Sequence, residues 1–434
     1  MRRYIIVGSG PAGVAAAESI RSHDPQGEIT LISAEEQGYY SRPGLAYYLT
    51  GEIPEQGLYP FTPTDFKLLE LRQVRSFVRS IHPEDHQIEL ADGRRLVFDR
   101  LLIATGARAA QMQVPGADLD GVVKLDNLYD AKMILRLARK ARSAVVVGGG
   151  ITALEIVEGL VSRGVRVHYF LRGERYWSNV LDETESRIVE QRLREEKVSL
   201  HYHTELEEII GKRGKVVGTI ARKGAQIKCQ IVAIAIGIRP RIELAQAAGL
   251  QTDRGILVNE YLQTGKADIY AAGDVAQVFD PTTGQTVIDS LWGPARDQGR
   301  AAGANMAGVT NSYRKRTPFN VTRLAGLTTT IIGTVGRGSD RDLLGIARGD
   351  SETWRQLPDA IAAQTGFDVN HLRALVGEKR LLGAVVMGDQ TLSQPLYRLI
   401  DQQVDIRPVR AQLLAPNPDL PNLLINFWSQ WSAS

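Results

Sequence analysis

Tyr4-Ile5-Ile6-Val7-Gly8-Ser9-Gly10-Pro11-Ala12-Gly13 decides the fold of this chain. Four apolar residues read as a buried strand, the three glycines as a turn, and the alanine-rich residues up to about 22 as a helix. A second strand follows over residues 28–33 and ends in Ala34-Glu35-Glu36. In such a unit the first glycine allows the tight turn, the second lets a phosphate approach the backbone, and the third permits close packing of helix on strand. The helix N-terminus then offers unpaired N–H groups and partial positive charge to a pyrophosphate.

The pattern occurs a second time. Residues 144–147 meet Gly148-Gly149-Gly150-Ile151-Thr152-Ala153, a helical stretch covers 154–162, and a strand covers 165–171. Both copies have a strand before the turn and a helix after it, so each half is expected to hold a parallel sheet. Between them lies a hairpin signal, residues 87–90, the turn Asp92-Gly93, then residues 95–98. A strand over 101–104 runs into Thr105-Gly106. Apolar runs at 231–236 and 269–272 end at Gly237 and at Gly273-Asp274. From about Ser312 the pattern changes: residues 328–335 and 381–387 read as antiparallel strands, with helical stretches between and after them. The expected fold is α/β, two Rossmann-like dinucleotide-binding domains with a smaller α+β C-terminal domain.

Composition narrows the function. With 434 residues, 43% hydrophobic and 23% charged, the chain is an ordinary globular protein of two to four domains at about 100–200 residues each. Its net charge of +3 excludes a strongly electrostatic nucleic-acid binder. The single cysteine, Cys229, excludes an internal disulfide, a two-thiol redox centre, a four-cysteine iron–sulfur cluster and a cysteine-based zinc site. The seven histidines show no metal-ligand spacing, and His201 and His203 are expected on one face of a surface strand. Met1-Arg2-Arg3 running into Tyr4–Val7 is too short an apolar stretch for a signal-peptide core. No window of about 18 residues is uncharged, so a cytoplasmic protein without a membrane span is expected.

These blocks, with Tyr40-Ser41-Arg42-Pro43, Gly237-Ile238-Arg239-Pro240, Ile269-Tyr270-Ala271-Ala272-Gly273-Asp274 and residues 292–300, resemble the two-dinucleotide flavoproteins of the pyridine nucleotide–disulfide oxidoreductase superfamily. Within it, rubredoxin and ferredoxin reductases and the reductase portion of NAD(P)H-nitrite reductases are most similar. The resemblance is strong over residues 1–310 and weak beyond. It implies a glutathione-reductase-like fold: an FAD-binding domain over 1–112 and 241–312, an NAD(P)-binding domain over 113–240, and a C-terminal α+β domain over 313–434.

The resemblance places FAD on the first unit, with Gly8, Gly10, Pro11, Ala12 and Gly13 cradling its pyrophosphate. Glu35, or failing it Glu36, would accept from the adenosine ribose, Arg42 would neutralise a flavin phosphate, and Asp274 beside Gly273 would bond the ribityl chain. Val78, Ala104, Thr105, Gly106 and Trp292 are further FAD-site candidates. Gly148, Gly150, Ile151, Thr152, Ala153 and Gly237 would serve NAD(P)H. Arg172 and Arg175 would read its adenosine end.

Three departures matter. No redox cysteine stands beside the flavin, where this chain reads Arg42-Pro43-Gly44-Leu45-Ala46-Tyr47, so reduced flavin must hand electrons directly to an acceptor. Tyr47 replaces a lysine that in many carrier reductases pairs with a glutamate matching Glu155; both Glu155 and Tyr47 remain catalytic candidates, and the partner of Glu155 is left to Tyr47, Tyr48 or a nearby arginine. Finally, Leu171 stands where NADH-dependent relatives carry an acid, with Arg172 and Arg175 following. An acid there bonds a 2′-hydroxyl, whereas arginine suits a 2′-phosphate, so NADPH is favoured over NADH.

The expected function is an NAD(P)H-dependent FAD reductase that passes electrons to a carrier such as ferredoxin or rubredoxin. The alternatives are a small acceptor (quinone, radical, or nitrite through a partner) and a slow-turnover redox sensor. The C-terminal Leu423, Leu424, Ile425, Phe427, Trp428 and Trp431 suit packing within the chain or a homodimer interface. Residues 350–375 look inserted relative to the family.

Overall fold

Tyr4 pairs with Ile29 on one side and Arg100 on the other, both in parallel register, and the sheet grows outward from that strand. The computed structural model describes residues 1–222, 224–281, 284–335, 361–367, 370–416 and 419–432. They form two compact units, Met1–Ala110 with Asp126–Ala131 and Ile238–Lys315, and Gln111–Leu125 with Lys132–Gly237 and Arg316–Ser434.

In the first unit the parallel sheet runs in the order Ile269–Ala271, Arg100–Ile103, Arg3–Val7, Glu28–Ser33, Leu71–Arg75. Tyr4, Ile5, Ile6 and Val7 are all buried, as a strand covered on both faces requires. The helix Pro11–His23 begins with proline, whose missing N–H costs nothing in a first turn. Arg21 and His23 lie in its last turn, where positive charge complements the helix dipole. It packs on the helix Trp292–Met306 backbone to backbone: a Cβ on Gly299 would sit 2.1 Å from the Ala12 carbonyl oxygen. The expected hairpin is present as Gln87–Leu90 and Arg95–Val97, joined to Val78–His82 in an antiparallel sheet.

The second unit repeats the parallel arrangement, in the order Ser199–His201, Arg166–Phe170, Ser143–Val147, Ile231–Ile234, Val122–Val123. Its glycine turn is tighter than expected. The helix starts at Ile151 instead of residue 154, because Gly150 is itself the extended N-cap. Strand Ser199–His201 ends where His203 turns to φ +49°, so the two histidines do not share a strand face. His201 instead meets His168 at 3.1 Å.

The same unit holds the C-terminal antiparallel sheet, ordered Phe319–Leu324, Leu327–Gly333, Leu381–Met387, Asn370–Val376, Ile361–Phe367. The helical stretch expected between residues 335 and 381 is not found among the described residues, which form two paired strands there. Asn370–Val376 has nearly every residue buried, and such a run reads ambiguously between helix and strand. Of the apparent insertion at 350–375, residues 350–360, 368 and 369 lie outside the described residues. Helices Ser393–Asp401, Arg407–Leu413 and Leu420–Ser432 contribute to the sheet's core through Leu396, Leu399, Leu413, Leu420 and Leu424, and Phe427, Trp428 and Trp431 pack against it. Among the described residues no helix is long and apolar enough to cross a membrane.

Candidate functional site: two nucleotide cradles

In the first unit Gly8 has φ +119°, and a Cβ there would lie 2.1 Å from the Ala104 oxygen. A Cβ on Gly13 would lie 1.9 Å from the Gly8 oxygen, whereas one on Gly10 meets nothing within 4 Å. Gly8 and Gly13 therefore weld strand, turn and helix, and Gly10 leaves bare backbone facing open space. The helix N-terminus beyond it has neither a side-chain cap nor an acid in its first turn, as an anion cradle needs.

Charged groups gather around this turn. Glu35 accepts from the Tyr40 hydroxyl at 2.9 Å and pairs with Arg42, which also donates to the Asp126 carbonyl. Tyr40 in turn accepts from the Leu128 amide at 3.0 Å. Glu36 is largely exposed and pairs with Arg75 at 3.1 Å. Glu35, Glu36, Ser9 and Ser33 line a cavity of about 1040 Å³. Thr105 donates to the Arg241 carbonyl at 3.2 Å, within the loop from Ala104 to Gly106. Burial pushes the Asp274 carboxyl up to about 6, with Arg42 opposing and Asp289 reinforcing the shift. Next to it the Gly273 amide donates to buried Gln298 at 2.8 Å. Trp292 stacks on Tyr39 with ring centres 5.7 Å apart. Val78 is half-buried on the antiparallel sheet, and Tyr47, on the short helix Gly44–Thr50, is 38% exposed.

The second unit has the same cradle. Gly148 has φ +143°, and its Cβ would strike the Ala235 oxygen at 2.1 Å. Gly150 faces open space, the helix Ile151–Val161 has no side-chain cap and no first-turn acid, and buried Ala153 fills the third position. Ile151 is buried and Thr152 half-buried behind it, and Gly237, at φ +113°, ends this part of the unit. After the strand Arg166–Phe170, Leu171 is buried and its amide donates to the His201 carbonyl at 2.9 Å; as a leucine it offers no carboxylate there. Arg172 is exposed; Arg175 is turned onto Glu174 and the Ser178 carbonyl.

Glu155 lies one turn into that helix. Burial, with the neighbouring Glu158 carboxylate, raises its carboxyl to about 7, and Arg323 opposes the shift. The spacing of Glu155 and Glu158 puts both on one helix face and is visible in the sequence; the arginine is not, because it arrives from the C-terminal sheet.

Two further clusters do not belong to either cradle. Asp182, Glu185 and His371 come within ligand distance of one another, but Arg373 occupies both Glu185 oxygens at 2.8 and 2.9 Å, which makes this a buried ion-pair network. Cys229 is fully buried, and burial raises its thiol to about 12, so it stays protonated.

Residues 2–299 match the model of the pyridine nucleotide-disulphide oxidoreductases. The chain belongs to this family. It is 32% identical over 345 residues to rhodocoxin reductase of Rhodococcus erythropolis, covering 77% of this chain and 80% of that one. It is 31% identical over 286 residues to rubredoxin-NAD(+) reductase of Ectopseudomonas oleovorans, covering 65% and 74%. Its fold matches that of the reductase in a covalent putidaredoxin reductase–putidaredoxin complex with a TM-score of 0.85 at 24% identity, over 98% of both chains. As a family member the protein is an enzyme, an FAD- and NAD(P)H-dependent oxidoreductase. The two cradles fit that assignment: each presents an uncapped, sterically open helix N-terminus to a dinucleotide.

Proposed function

We propose that this enzyme passes electrons from NADPH, through FAD in the first cradle, to a small iron–sulfur carrier protein of the ferredoxin or rubredoxin type. The observation that carries the acceptor class is Cys229. It is the only cysteine in the sequence, and its buried, protonated thiol cannot relay electrons, so they leave the flavin without a protein disulfide. The names of the relatives support a carrier as the recipient.

Bound FAD supplies the conversion from two-electron to one-electron chemistry. The chain's own residues bind and orient. Gly10, Pro11 and Ala12 hold the pyrophosphate on the first helix turn, with Gly8 and Gly13 setting the geometry. Glu35 takes the ribose hydroxyls. Arg42 offers five N–H donors, enough to divide between Glu35 and a phosphate. Asp274, desolvated and held near 6, accepts from ribityl hydroxyls when ionised. Gly148, Gly150, Ile151, Thr152 and Ala153 receive the nicotinamide dinucleotide. Arg172 and Arg175 give a 2′-phosphate charge-assisted hydrogen bonds, while Leu171 offers nothing to a free 2′-hydroxyl.

The test is NADPH-driven reduction of ferredoxin and rubredoxin followed by the carriers' own visible absorbance. Rapid carrier bleaching is expected. Slow carrier reduction alongside fast turnover with quinones or oxygen would overturn the acceptor class. A protein that purifies colourless and cannot be reconstituted with FAD would overturn the reading as a whole.

A further inference from the structure

Strands Phe319–Leu324 and Leu327–Gly333 are joined by Ala325-Gly326 alone, with Leu324 opposite Leu327. Ala325 and Gly326 have φ +48° and +80°, the tight two-residue turn that matches strand twist. The turn is docked from two sides. The Gly326 amide donates to Glu158 Oε1 at 3.0 Å, and Arg192 Nε, on the helix Glu183–Glu195, donates to the Ala325 carbonyl at 2.5 Å. The turn is thereby fastened to the helix that carries Glu155 and Glu158; Arg323, two residues upstream of Ala325, has its Nε shut off from solvent, and its charge reaches Glu155. The other wall is tyrosine. Tyr169 and Tyr176 are fully buried, and their hydroxyls have no hydrogen-bond partner among the described residues. The Tyr176 hydroxyl feels both carboxylates, and the Tyr169 hydroxyl feels Glu158. Buried hydroxyls without partners mark a place that takes a water or a polar ligand group.

We propose that Arg323 is a positioning residue that sets the charge of Glu155, and through it the preference of the Gly148–Ala153 cradle for oxidised over reduced nicotinamide nucleotide. The proposal rests on the reading that this cradle takes NAD(P)H. The oxidised ring carries a positive charge that the reduced ring lacks. Ionised Glu155 attracts the oxidised ring; protonated Glu155 does not. Four other groups bear on its charge: Glu158 favours the proton, Arg323 opposes it, and the Tyr169 and Tyr176 hydroxyls are neutral in the working range. Arg192 acts only through the turn it holds.

The experiment measures equilibrium binding of NADP+ to the FAD-loaded protein across pH. The reference is the same dinucleotide without its nicotinamide, 2′-phospho-ADP-ribose, which cancels titration of the phosphate. The parent's NADP+ advantage should rise roughly tenfold as pH climbs through a midpoint of about 7. Arg323→Gln should move that midpoint up by about one unit, and Glu158→Gln should move it down, since they remove charges of opposite sign. Arg323→Lys should keep the parent profile, and Glu155→Gln should abolish the pH dependence. Overlap of the Arg323→Gln and parent profiles, or a persisting midpoint in Glu155→Gln, would overturn the proposal. Should Arg323→Gln not fold, Arg192→Gln, which releases the turn that holds Arg323, should move the midpoint up, and an unmoved midpoint there overturns the proposal equally. Failure of both ligands to bind would overturn the nucleotide assignment instead.

Discussion

Replacing Arg373 by leucine tests how the C-terminal sheet is tied to the helix Glu183–Glu195. The guanidinium spans Glu185 with two bonds, at 2.8 and 2.9 Å, and donates to the Val335 and Val180 carbonyls, both at 3.1 Å. Glu185 is completely buried, so losing Arg373 leaves its carboxylate without a countercharge at hydrogen-bond distance, held by the Asp182 amide at 2.9 Å and with His371 at 3.4 Å. Removing one partner of such a pair costs about 3–5 kcal/mol, a large share of the ~5–15 kcal/mol that holds a typical domain folded. The pH dependence follows from the same contacts. Burial alone would raise the Glu185 carboxyl, but His371 and Arg373 outweigh it and hold it below the usual range. A depressed carboxyl contributes stability above its unfolded value, and that contribution is lost as pH falls through the folded one. Without Arg373, burial dominates and the carboxyl rises, so acid protonates it and relieves the defect. Urea unfolding of the FAD-loaded protein should show the full deficit at neutral pH and a smaller one near pH ~5. The double variant Glu185→Leu/Arg373→Leu should lose less than Arg373→Leu alone. A deficit under about 1 kcal/mol at neutral pH, or one that does not change with pH, would refute the reasoning.

Gly10→Val fills the space that a pyrophosphate needs, so the purified variant should fold but be colourless, as its visible spectrum would show. Arg172→Ala should raise KM for NADPH roughly tenfold and leave NADH kinetics unchanged, read from steady-state dye reduction with both nucleotides; equal losses would place the arginine elsewhere. Thiol-alkylating reagents should leave NADPH-driven dye reduction intact, because Cys229 is buried with its thiol raised to about 12; mass spectrometry of the treated protein reports whether it was touched.

Both glycine turns were legible because strand, turn and helix are contiguous, and a turn that must bring backbone against backbone leaves few residue choices. The run from Tyr4 to Val7 and its counterpart from Ala144 to Val147 needed no tertiary information to be read as central parallel strands. What escaped depends on contacts across long sequence separations. Arg323 lies 168 positions beyond Glu155, and no local pattern marks it as that residue's countercharge. The strand Asn370–Val376 was misread for a related reason: it is buried almost throughout and lacks the alternation of a half-exposed strand. Arg373 and His371, polar residues inside that buried run, make sense only once Glu185 is seen against them.

The first unit is interrupted in sequence by about half of the second, and this has a consequence for its birth on the ribosome. Helix Pro11–His23 rests on Trp292–Met306, and strand Arg100–Ile103 is flanked on one side by Ile269–Ala271. At a translation rate of roughly 5–20 residues per second, the early half waits on the order of ten seconds to a minute for its missing strand and helix. Throughout that interval one edge of a hydrophobic sheet has no neighbour, the condition under which strands recruit foreign partners. Gly273 and Asp274 emerge only at the end of the wait, so the FAD site proposed above is a late product of synthesis, and anything that stalls elongation between the two halves prolongs the exposure of that edge.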